Sequence, residues 1–288
     1  MLRALAAQEG DFAREVIIVD DGSTDASAQI IAALGPRLPG FRLITQENRG
    51  PAIATNRGLA AARMPFVKLV DGDDLLAPYA TRHLIAVSQR LDAAVVIGAG
   101  GVYRPGTAPS WPGLAAPPPR LLDDPLAQLV RNIGFTPSHM LILRDALAVS
   151  GGCDERIFVQ DYALALRLAA SCRFAVSDTV VTAAPGAAAD PARLSQNKAQ
   201  ILHDLNLALL LFLEDRPDLP PRVRRGAWRR IAGRGWTWAR RETGRPLLSR
   251  ELLLCLGTAL GMKKAAWKSL DIFAASGGVR RLPLGPKG

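Results

Sequence analysis

The chain has 288 residues, of which 49% are hydrophobic and 22% are charged, and this balance excludes a wholly disordered protein. Its three cysteines are widely spaced and form no Cys-x-x-Cys pair, which argues against a disulfide framework or a structural zinc site and fits a reducing cytoplasm. The net charge of +10 is concentrated in residues 216–250, where eleven arginines stand against two acidic residues, and such a basic block indicates an anionic partner.

The sequence predicts neither a signal peptide nor a membrane-spanning segment. Glu9 and Asp11 interrupt the N-terminal residues before an apolar signal region forms. The longest apolar run of the C-terminal half, Leu207–Leu213, is far shorter than the ~20 residues that span a bilayer. We therefore expect a cytoplasmic protein that is soluble or bound peripherally to the inner face of the plasma membrane.

The first two thirds of the chain alternate short apolar runs with helical segments, and residues 104–125 are Pro-rich and predict a long surface loop. This alternation predicts an α/β fold with a mostly parallel sheet and helices on both faces. The pattern becomes helical and basic from Arg193, so we predict domains at 1–190 and 191–288. The predicted strands are 15–19, 41–45, 66–70, 95–98, 140–143 and 174–183, and the predicted helices are 23–35, 50–63, 126–132 and 161–170.

Carboxylates follow two of these strands at the edge where ligands bind in open α/β sheets. Asp20 and Asp21 follow the first strand, and Gly22 lets the backbone turn sharply after them. They could accept hydrogen bonds from a base or from ribose hydroxyls. The alternative is a purely structural turn, since Asp-Gly-Ser is a common turn and cap sequence.

Asp71 and Asp73 follow the strand at 66–70 and stand one residue apart. Two carboxylates in this arrangement suit a magnesium or manganese ion, which takes hard oxygen ligands and usually binds substrate phosphates as well. Such a metal would offset the charge of a leaving diphosphate. The alternative is an acidic surface loop.

Four segments together resemble the ordered motifs of glycosyltransferase family 2. They are residues 15–25 (EVIIVDDGSTD), 47–58 (ENRGPAIATNRG), 66–75 (FVKLVDGDDL) and 151–167 (GGCDERIFVQDYALALR). The resemblance covers roughly residues 1–183 and implies that 1–190 is a catalytic domain of the GT-A, Rossmann-like type. It implies an enzyme that transfers a sugar from a nucleotide diphosphate with inversion and without a covalent intermediate.

The resemblance implies roles for eight residues and a manganese or magnesium cofactor. Asp20 and Asp21 match the nucleoside-binding pair, and Asp71 and Asp73 match the pair that binds metal and diphosphate, with Asp73 the more direct ligand. Asp161 matches the general base, which takes the proton of the acceptor hydroxyl as that oxygen attacks; a helix cap is its alternative role. The remaining donor-binding positions are Asn48, Gly50 and Asn56.

Two departures from the family pattern bear on these roles. Gln160 stands where the family has Glu before the base, and the loss of that charge is expected to lower the pKa of Asp161 relative to the family. The family's first apolar strand, which lies between the 15–19 and 66–70 strands, is not seen ahead of the helix predicted at Met1–Ala7. A misassigned start, a truncation or a degenerate gene would each explain this, and each would leave a gap in the sheet.

The basic segment 216–250 combines arginines with an apolar helical face. An amphipathic helix of this composition suits the interface of an anionic membrane. The alternative is a basic helix that packs on the catalytic domain, and the lack of a nucleic-acid-binding motif argues against DNA or RNA. The predicted lipid-facing residues are Trp228, Ile231, Ala232, Trp238 and Ala239.

The leading hypothesis is a metal-dependent, inverting hexosyltransferase that makes surface polysaccharide or glycolipid on a glycan or lipid-linked acceptor. The second is a catalytically impaired, membrane-associated protein that binds or regulates through the same fold. A nucleotidyltransferase is a third, and the lack of a Gly-rich phosphate loop near the N-terminus counts against it.

Overall fold

A computed structural model describes residues 1–131, 134–186, 197–275 and 277–280, and these residues form two compact units. The predicted boundary at 190/191 lies outside the described residues, so that division stays a prediction. The first unit comprises the described residues of 1–125, 134–153 and 168–191, and the second comprises those of 126–133, 154–167 and 192–288.

The first unit is an α/β structure with two sheets. Its helices are α1 (Leu2–Ala6), α2 (Ser27–Leu34), α3 (Pro51–Ala61), α4 (Ala80–Leu91) and α6 (Arg144–Ser150). Its strands are β1 (Ile17–Asp20), β2 (Arg42–Thr45), β3 (Phe66–Lys68), β4 (Leu75–Leu76), β5 (Val95–Tyr103), β6 (Arg120–Leu121), β7 (Met140–Leu143) and β8 (Phe174–Pro185).

The larger sheet has the strand order β3–β7–β5–β8–β4, with β6 paired to β8, and the smaller sheet is the parallel pair β1–β2. The prediction of an α/β fold with a helical C-terminal region is confirmed. The sheet is mixed rather than mostly parallel, because β4, β6 and β7 run antiparallel to their neighbours and only β5–β8 pairs in parallel within the larger sheet. An apolar run predicts a strand but carries no information about its direction.

Two regions depart from the predicted elements. The predicted loop at 104–125 contains β6, where Arg120 lies opposite Val176 of β8. The helix α4 was not predicted, although Ala80, Leu84, Val87 and Ser88 form its buried face with helical spacing.

The core of the first unit lies where strands have partners on both edges. Val95 of β5 and Ile142 of β7 lie opposite each other and are fully buried. Phe174 of β8 lies opposite Val95 on the other side and is also fully buried. Burial of such side chains stabilises a fold by about 1.5–3 kcal/mol each, so β5, β7 and β8 anchor the sheet.

A cavity of about 630 Å³ lies between β1 and β3, and we call it the sheet gap. Among the described residues, β1 pairs only with β2 and β3 pairs only with β7, so each strand has one edge without a strand partner. Ile18 and Val67 line the sheet gap and remain half-buried. Glu15 spans one end of the gap, because its carboxylate accepts hydrogen bonds from the N–H groups of Arg63 (2.6 Å) and Met64 (3.1 Å) just before β3. The gap expected between these strands is therefore observed.

The second unit is helical, and none of the described helices of the chain is long and apolar enough to cross a bilayer. The face of α9 that was predicted to meet lipid is instead buried within this unit. Trp238, for example, packs against Phe273 with ring centroids 6.0 Å apart. The prediction of a lipid-facing tryptophan stripe is wrong, because helical periodicity identifies an apolar face but not what covers it. The helices are α5 (Pro125–Arg131), α7 (Gln160–Ala169), α8 (Lys198–Asp215), α9 (Pro221–Arg241), α10 (Arg250–Ala259), α11 (Lys263–Ser269) and α12 (Asp271–Ala274).

Candidate active site

The turn after β1 is organised by its two carboxylates. Oδ1 of Asp20 accepts hydrogen bonds from the N–H (2.9 Å) and the hydroxyl (2.5 Å) of Ser23. Gly22 has φ of 74°, and a Cβ at this position would lie 2.9 Å from the backbone nitrogen of Asn48. The turn therefore needs glycine, and it places Asp20 beside the segment that contains Asn48.

Asp21 holds the start of α3. Its Oδ1 accepts hydrogen bonds from the side-chain amide of Gln46 (2.6 Å) and from the N–H of Arg49 (2.8 Å), and its Oδ2 accepts one from the N–H of Gly50 (2.9 Å). Gly50 has φ of 92° and precedes the first helical residue, Pro51. Asp21 thus fixes the loop between β2 and α3, while Asp20 ends β1 and organises the turn through Ser23.

Asn56 joins α3 to the segment around Gly152. Its side-chain amide donates to the carbonyl oxygen of Cys153 (3.0 Å), and its side-chain oxygen accepts from the N–H of the same residue (2.8 Å). A Cβ at Gly152 would lie 2.7 Å from that oxygen. The predicted donor-binding residue Asn56 therefore also holds the start of the fourth motif in place.

The acidic loop after β3 is held from two sides. The N–H of Asp71 donates to Oγ of Ser138 (2.8 Å), and the hydroxyl of Tyr103 donates to the carbonyl oxygen of Asp73 (3.0 Å). Asp71 is half-buried and Asp73 is exposed, whereas the next residue, Asp74, is buried. The loop thus presents Asp73 to solvent on a backbone fixed by β5 and by the residues before β7.

Lys68 supplies a positive charge beneath this loop. Burial lowers its pKa from 10.5 to about 7, and the nearby carboxylates of Asp74 and Asp71 oppose that shift. Its ammonium group donates to the carbonyl oxygen of Ser138. Burial, together with the charge of Lys68, lowers the pKa of His139 to about 4, so this histidine is neutral and its Nδ1 accepts from the N–H of Thr136 (3.2 Å).

These neighbours were missed by sequence reasoning. Lys68, Ser138 and Tyr103 shape the acidic loop, yet only Lys68 left a trace in the sequence, as a lone cation in the apolar run FVKLV. Ser138 and Tyr103 lie about 70 and 30 residues from the loop along the chain. Such contacts depend on strand order, which a single sequence does not reveal.

The residues of the acidic loop fit a divalent cation that is shared with a substrate. Among the described residues, no group of three or more His, Cys, Asp or Glu side chains converges as a complete metal site. Magnesium and manganese commonly use one or two protein carboxylates and complete their shell with phosphate and water. Asp71 and Asp73 supply that number of hard oxygen ligands.

Asp161 belongs to the second unit and lies in the first turn of α7. Its Oδ1 accepts a hydrogen bond from the N–H of Tyr162 (2.8 Å). Burial raises the pKa of Asp161, and hydrogen bonds from the backbone only partly oppose this shift. The loss of a neighbouring charge at Gln160 is expected to lower the pKa of Asp161 relative to the family. Compared with an ordinary carboxyl, however, burial makes the pKa of Asp161 higher.

The segment before α7 is firmly held. Asp154 is buried and accepts from Arg156 (2.7 Å) and Arg167 (3.0 Å). The N–H of Phe158 donates to the carboxylate of Asp204 on α8 (3.0 Å). A base that must meet an acceptor hydroxyl benefits from such fixed surroundings, so the second unit provides a rigid support for Asp161.

The first unit is thus an α/β structure with carboxylates after two of its strands, which is the arrangement of the GT-A fold. Residues 1–150 match the family described as Glycosyl transferase family 2. The chain belongs to this family, so the family resemblance is confirmed. The first three motifs lie within the matched residues, whereas the fourth motif, residues 151–167, lies beyond them.

Curated relatives match shorter segments. The chain is 40% identical over 84 residues to an uncharacterized glycosyltransferase, YibD, of Escherichia coli. The matched segment covers 28% of this chain and 24% of that protein. It is 40% identical over 94 residues to the succinoglycan biosynthesis protein ExoO of Rhizobium meliloti, which covers 32% of the chain and 25% of that protein. The matched segments therefore span about a quarter of each of these relatives.

Solved structures share the fold over nearly the whole chain. TarS of S. aureus (residues 1–349) in complex with UDP-GlcNAc superposes with a TM-score of 0.66 at 19% identity, covering 95% of this chain and 78% of that one. The mannosyltransferase PcManGT of Pyrobaculum calidifontis, in complex with GDP-Man and Mn²⁺, gives a TM-score of 0.58 at 18% identity. This superposition covers 96% of this chain and 81% of that one. At this level of identity the likeness establishes the fold.

Proposed function

We propose that this protein is an inverting, metal-dependent glycosyltransferase of the hexosyltransferase type. It moves a sugar from a nucleotide diphosphate to a hydroxyl of a glycan or a lipid-linked acceptor, in the synthesis of surface polysaccharide or glycolipid. The observation that carries the proposal is the placement of two carboxylate turns, Asp20–Asp21 and Asp71–Asp73, after two strands that line one cavity. Relatives named for succinoglycan biosynthesis and structural neighbours solved with nucleotide sugars support it.

The donor would be held by the first unit. In the proposal, Asp20 accepts hydrogen bonds from the nucleoside, while Asp21 keeps the loop around Asn48 and Gly50 in its binding position. Asn56 borders the donor and holds the segment at Cys153 in place. Asp71 and Asp73 would hold a manganese or magnesium ion, which supplies charge neutralisation to the diphosphate when bound. Lys68, half-buried beneath the loop, adds a positive charge close to the carboxylates of Asp74 and Asp71 when it is protonated.

Asp161 is the proposed general base. The acceptor hydroxyl gives its proton to the Asp161 carboxylate while the hydroxyl oxygen forms a bond to the anomeric carbon and the bond to the diphosphate breaks. One displacement of this kind inverts the anomeric configuration. Because burial raises the pKa of Asp161, its carboxylate is a stronger base than an exposed aspartate.

The replacement Asp161→Asn tests this role, because it keeps the side-chain shape and removes the basicity. We expect turnover to fall about 100-fold or more, whereas donor affinity by calorimetry stays within about twofold. Glu155→Gln in the preceding loop is a matched control and should leave both unchanged. Loss of donor binding with turnover intact would instead make Asp161 a structural residue.

The acid limb of the pH profile provides a second test of the base. Asp161 must be ionised to accept a proton, and its raised pKa shifts the loss of activity to a pH above the ordinary carboxyl value of 3.8. We expect kcat/KM to fall as the pH drops through this raised value. An acid limb at or below pH 3.8 would contradict the claim that burial raises the pKa of the catalytic base.

The sheet gap favours a second candidate, a donor-binding protein with impaired catalysis. Half-buried β1 and β3 carry both carboxylate turns, and a loosened sheet could bind the donor yet fail to orient it. Stoichiometric donor binding without transfer to any acceptor, and without slow donor hydrolysis, would favour this candidate over the enzyme.

A further inference from the structure

The helix α10 has an exposed apolar face that continues into Leu260, the residue directly after the helix. Leu253, Leu256 and Leu260 are 70%, 52% and 82% exposed, while Cys255 and Thr258 are buried on the opposite side. With 3.6 residues per turn, positions 253, 256 and 260 fall on one face. A helix on a protein surface usually buries its leucines. Leu252 and Leu254 of α10 are half-buried, so the exposed leucine face is an addition to the face that packs on the unit.

The apolar surface extends beyond α10 at both ends. Leu247 and Leu248 precede the helix and Met262 follows it, and all three are exposed. Together with Leu253, Leu256 and Leu260 they make six exposed residues, which we call the leucine patch. Contiguous apolar surfaces of this kind mark interaction sites on otherwise soluble proteins.

The sequence that contains the leucine patch is rich in exposed basic residues. Residues 240–268 hold seven basic and two acidic residues, which gives a local net charge of +5. All seven basic residues are exposed, and one acidic residue, Glu251, is partly neutralised by Arg245 at 3.4 Å. The basic residues are Arg240, Arg241, Arg245, Arg250, Lys263, Lys264 and Lys268.

We propose that the leucine patch docks this protein on an anionic lipid bilayer. Aliphatic side chains on one helical face, bordered by cations, match the acyl boundary and the anionic headgroups of such a surface. Two copies of the chain pairing through this patch would bring two +5 surfaces together, which disfavours self-association. A nucleic acid would use the cations but would leave the leucines in water. This surface differs from the buried tryptophan face of α9, and the proposal does not depend on donor binding or catalysis.

Vesicle co-sedimentation with the full chain tests the proposal. The probes are vesicles of phosphatidylcholine alone and of phosphatidylcholine with phosphatidylglycerol, each at low and high salt. We expect binding to the anionic vesicles only, weakened by salt, since each basic residue near such a surface strengthens binding about fivefold. Equal binding to both vesicle types, or to neither, would overturn the proposal.

Two variants separate the apolar and the charged contributions. The triple variant Leu253→Gln, Leu256→Gln, Leu260→Gln should bind anionic vesicles at least about tenfold more weakly. Lys263→Gln with Lys264→Gln should weaken binding about 25-fold at low salt and much less at high salt. The matched control Ile30→Gln, Leu114→Gln, Val149→Gln changes exposed apolar residues of the first unit and should bind like the wild type.

The test remains decisive if the patch has another use. Thermal unfolding shows whether the triple variant is folded, and the lysine variant replaces it if it is not. Sedimentation velocity without lipid shows whether the leucine patch joins two copies. A wild-type dimer that becomes a monomer in the triple variant, or wild-type vesicle binding by that variant, would each refute the membrane assignment.

Discussion

Two parts of the first unit contain the same kinds of residue but differ in burial. Around β5, β7 and β8, side chains such as Val95, Ile142 and Phe174 are fully buried, because each strand has a partner on both sides. Around the sheet gap, Ile18 and Val67 are equally apolar but only half-buried. Burial of an apolar strand is therefore set by the pairing of its two edges, and hydrophobicity alone does not determine it.

This difference matters for function, because the proposed donor site belongs to the less buried part. Asp20 ends β1 and Asp21 follows it, and Asp71 and Asp73 follow β3. The part of the first unit around β5, β7 and β8, whose strands are paired on both edges, is called the completed part below. It holds the acidic loop through Tyr103 and Ser138. We therefore expect stability to be dominated by the completed part and donor affinity to be sensitive to the sheet gap.

Filling the sheet gap should have the largest effect. A four-residue strand occupies a block of roughly 13 × 5 × 10 Å, similar in size to the cavity of about 630 Å³. Met1 lines this cavity, and burial lowers the pKa of its amino group. An apolar strand with a short connector, fused ahead of Met1, should pair with the open edges and stabilise the fold by about 3 kcal/mol. At about 2–4 °C per kcal/mol, this raises Tm by roughly 6–12 °C.

The same fusion should raise donor affinity and reduce aggregation, since open strand edges promote association between chains. A fusion of equal length in which alternate residues are proline is the matched control and should do neither. A cooperative, high-temperature transition of the unextended chain that the strand fusion leaves unchanged would show that the gap is already closed in solution.

Truncation of matched side chains tests the comparison itself. Ile142→Ala in the completed part should lower the free energy of unfolding by about 2–5 kcal/mol. Ile18→Ala beside the sheet gap removes a half-buried side chain of the same size and should cost about 1 kcal/mol or less. Urea unfolding measures both, and similar losses at the two positions would refute the distinction between the two parts.

A separate expected effect, on the pH dependence of stability, concerns Lys68, which lines the sheet gap. Its pKa is about 7 in the folded protein and 10.5 as an ordinary lysine, so the unfolded chain binds one more proton between these values. Stability should therefore rise with pH from about 7 toward 10.5. In Lys68→Met this contribution disappears. The difference between the urea midpoints of the variant and the wild type should therefore shrink as pH increases over that window. A difference that does not change with pH would contradict the buried position of Lys68.

Sequence reasoning predicted the α/β fold, the family and the turns that carry Asp20, Asp21, Asp71 and Asp73, because these depend on local runs and short motifs. It did not predict that β7 lies antiparallel between β3 and β5, since strand order is a property of the whole sheet. It misassigned Trp228 and Trp238 of α9, because periodicity does not reveal which partner covers an apolar face. The exposed leucines of α10 could be recognised only once the buried side of that helix was known.

The most direct test of the central claim is a calorimetric titration of the protein with nucleotide sugars such as UDP-GlcNAc and GDP-mannose, with manganese and again with EDTA. We predict binding that requires the metal, and a loss of at least about tenfold in affinity for Asp73→Asn. Asp145→Asn, a matched control on exposed α6, should bind like the wild type. Metal-independent binding, or equal affinity of the Asp73 variant and the control, would contradict a donor site at the acidic loop after β3.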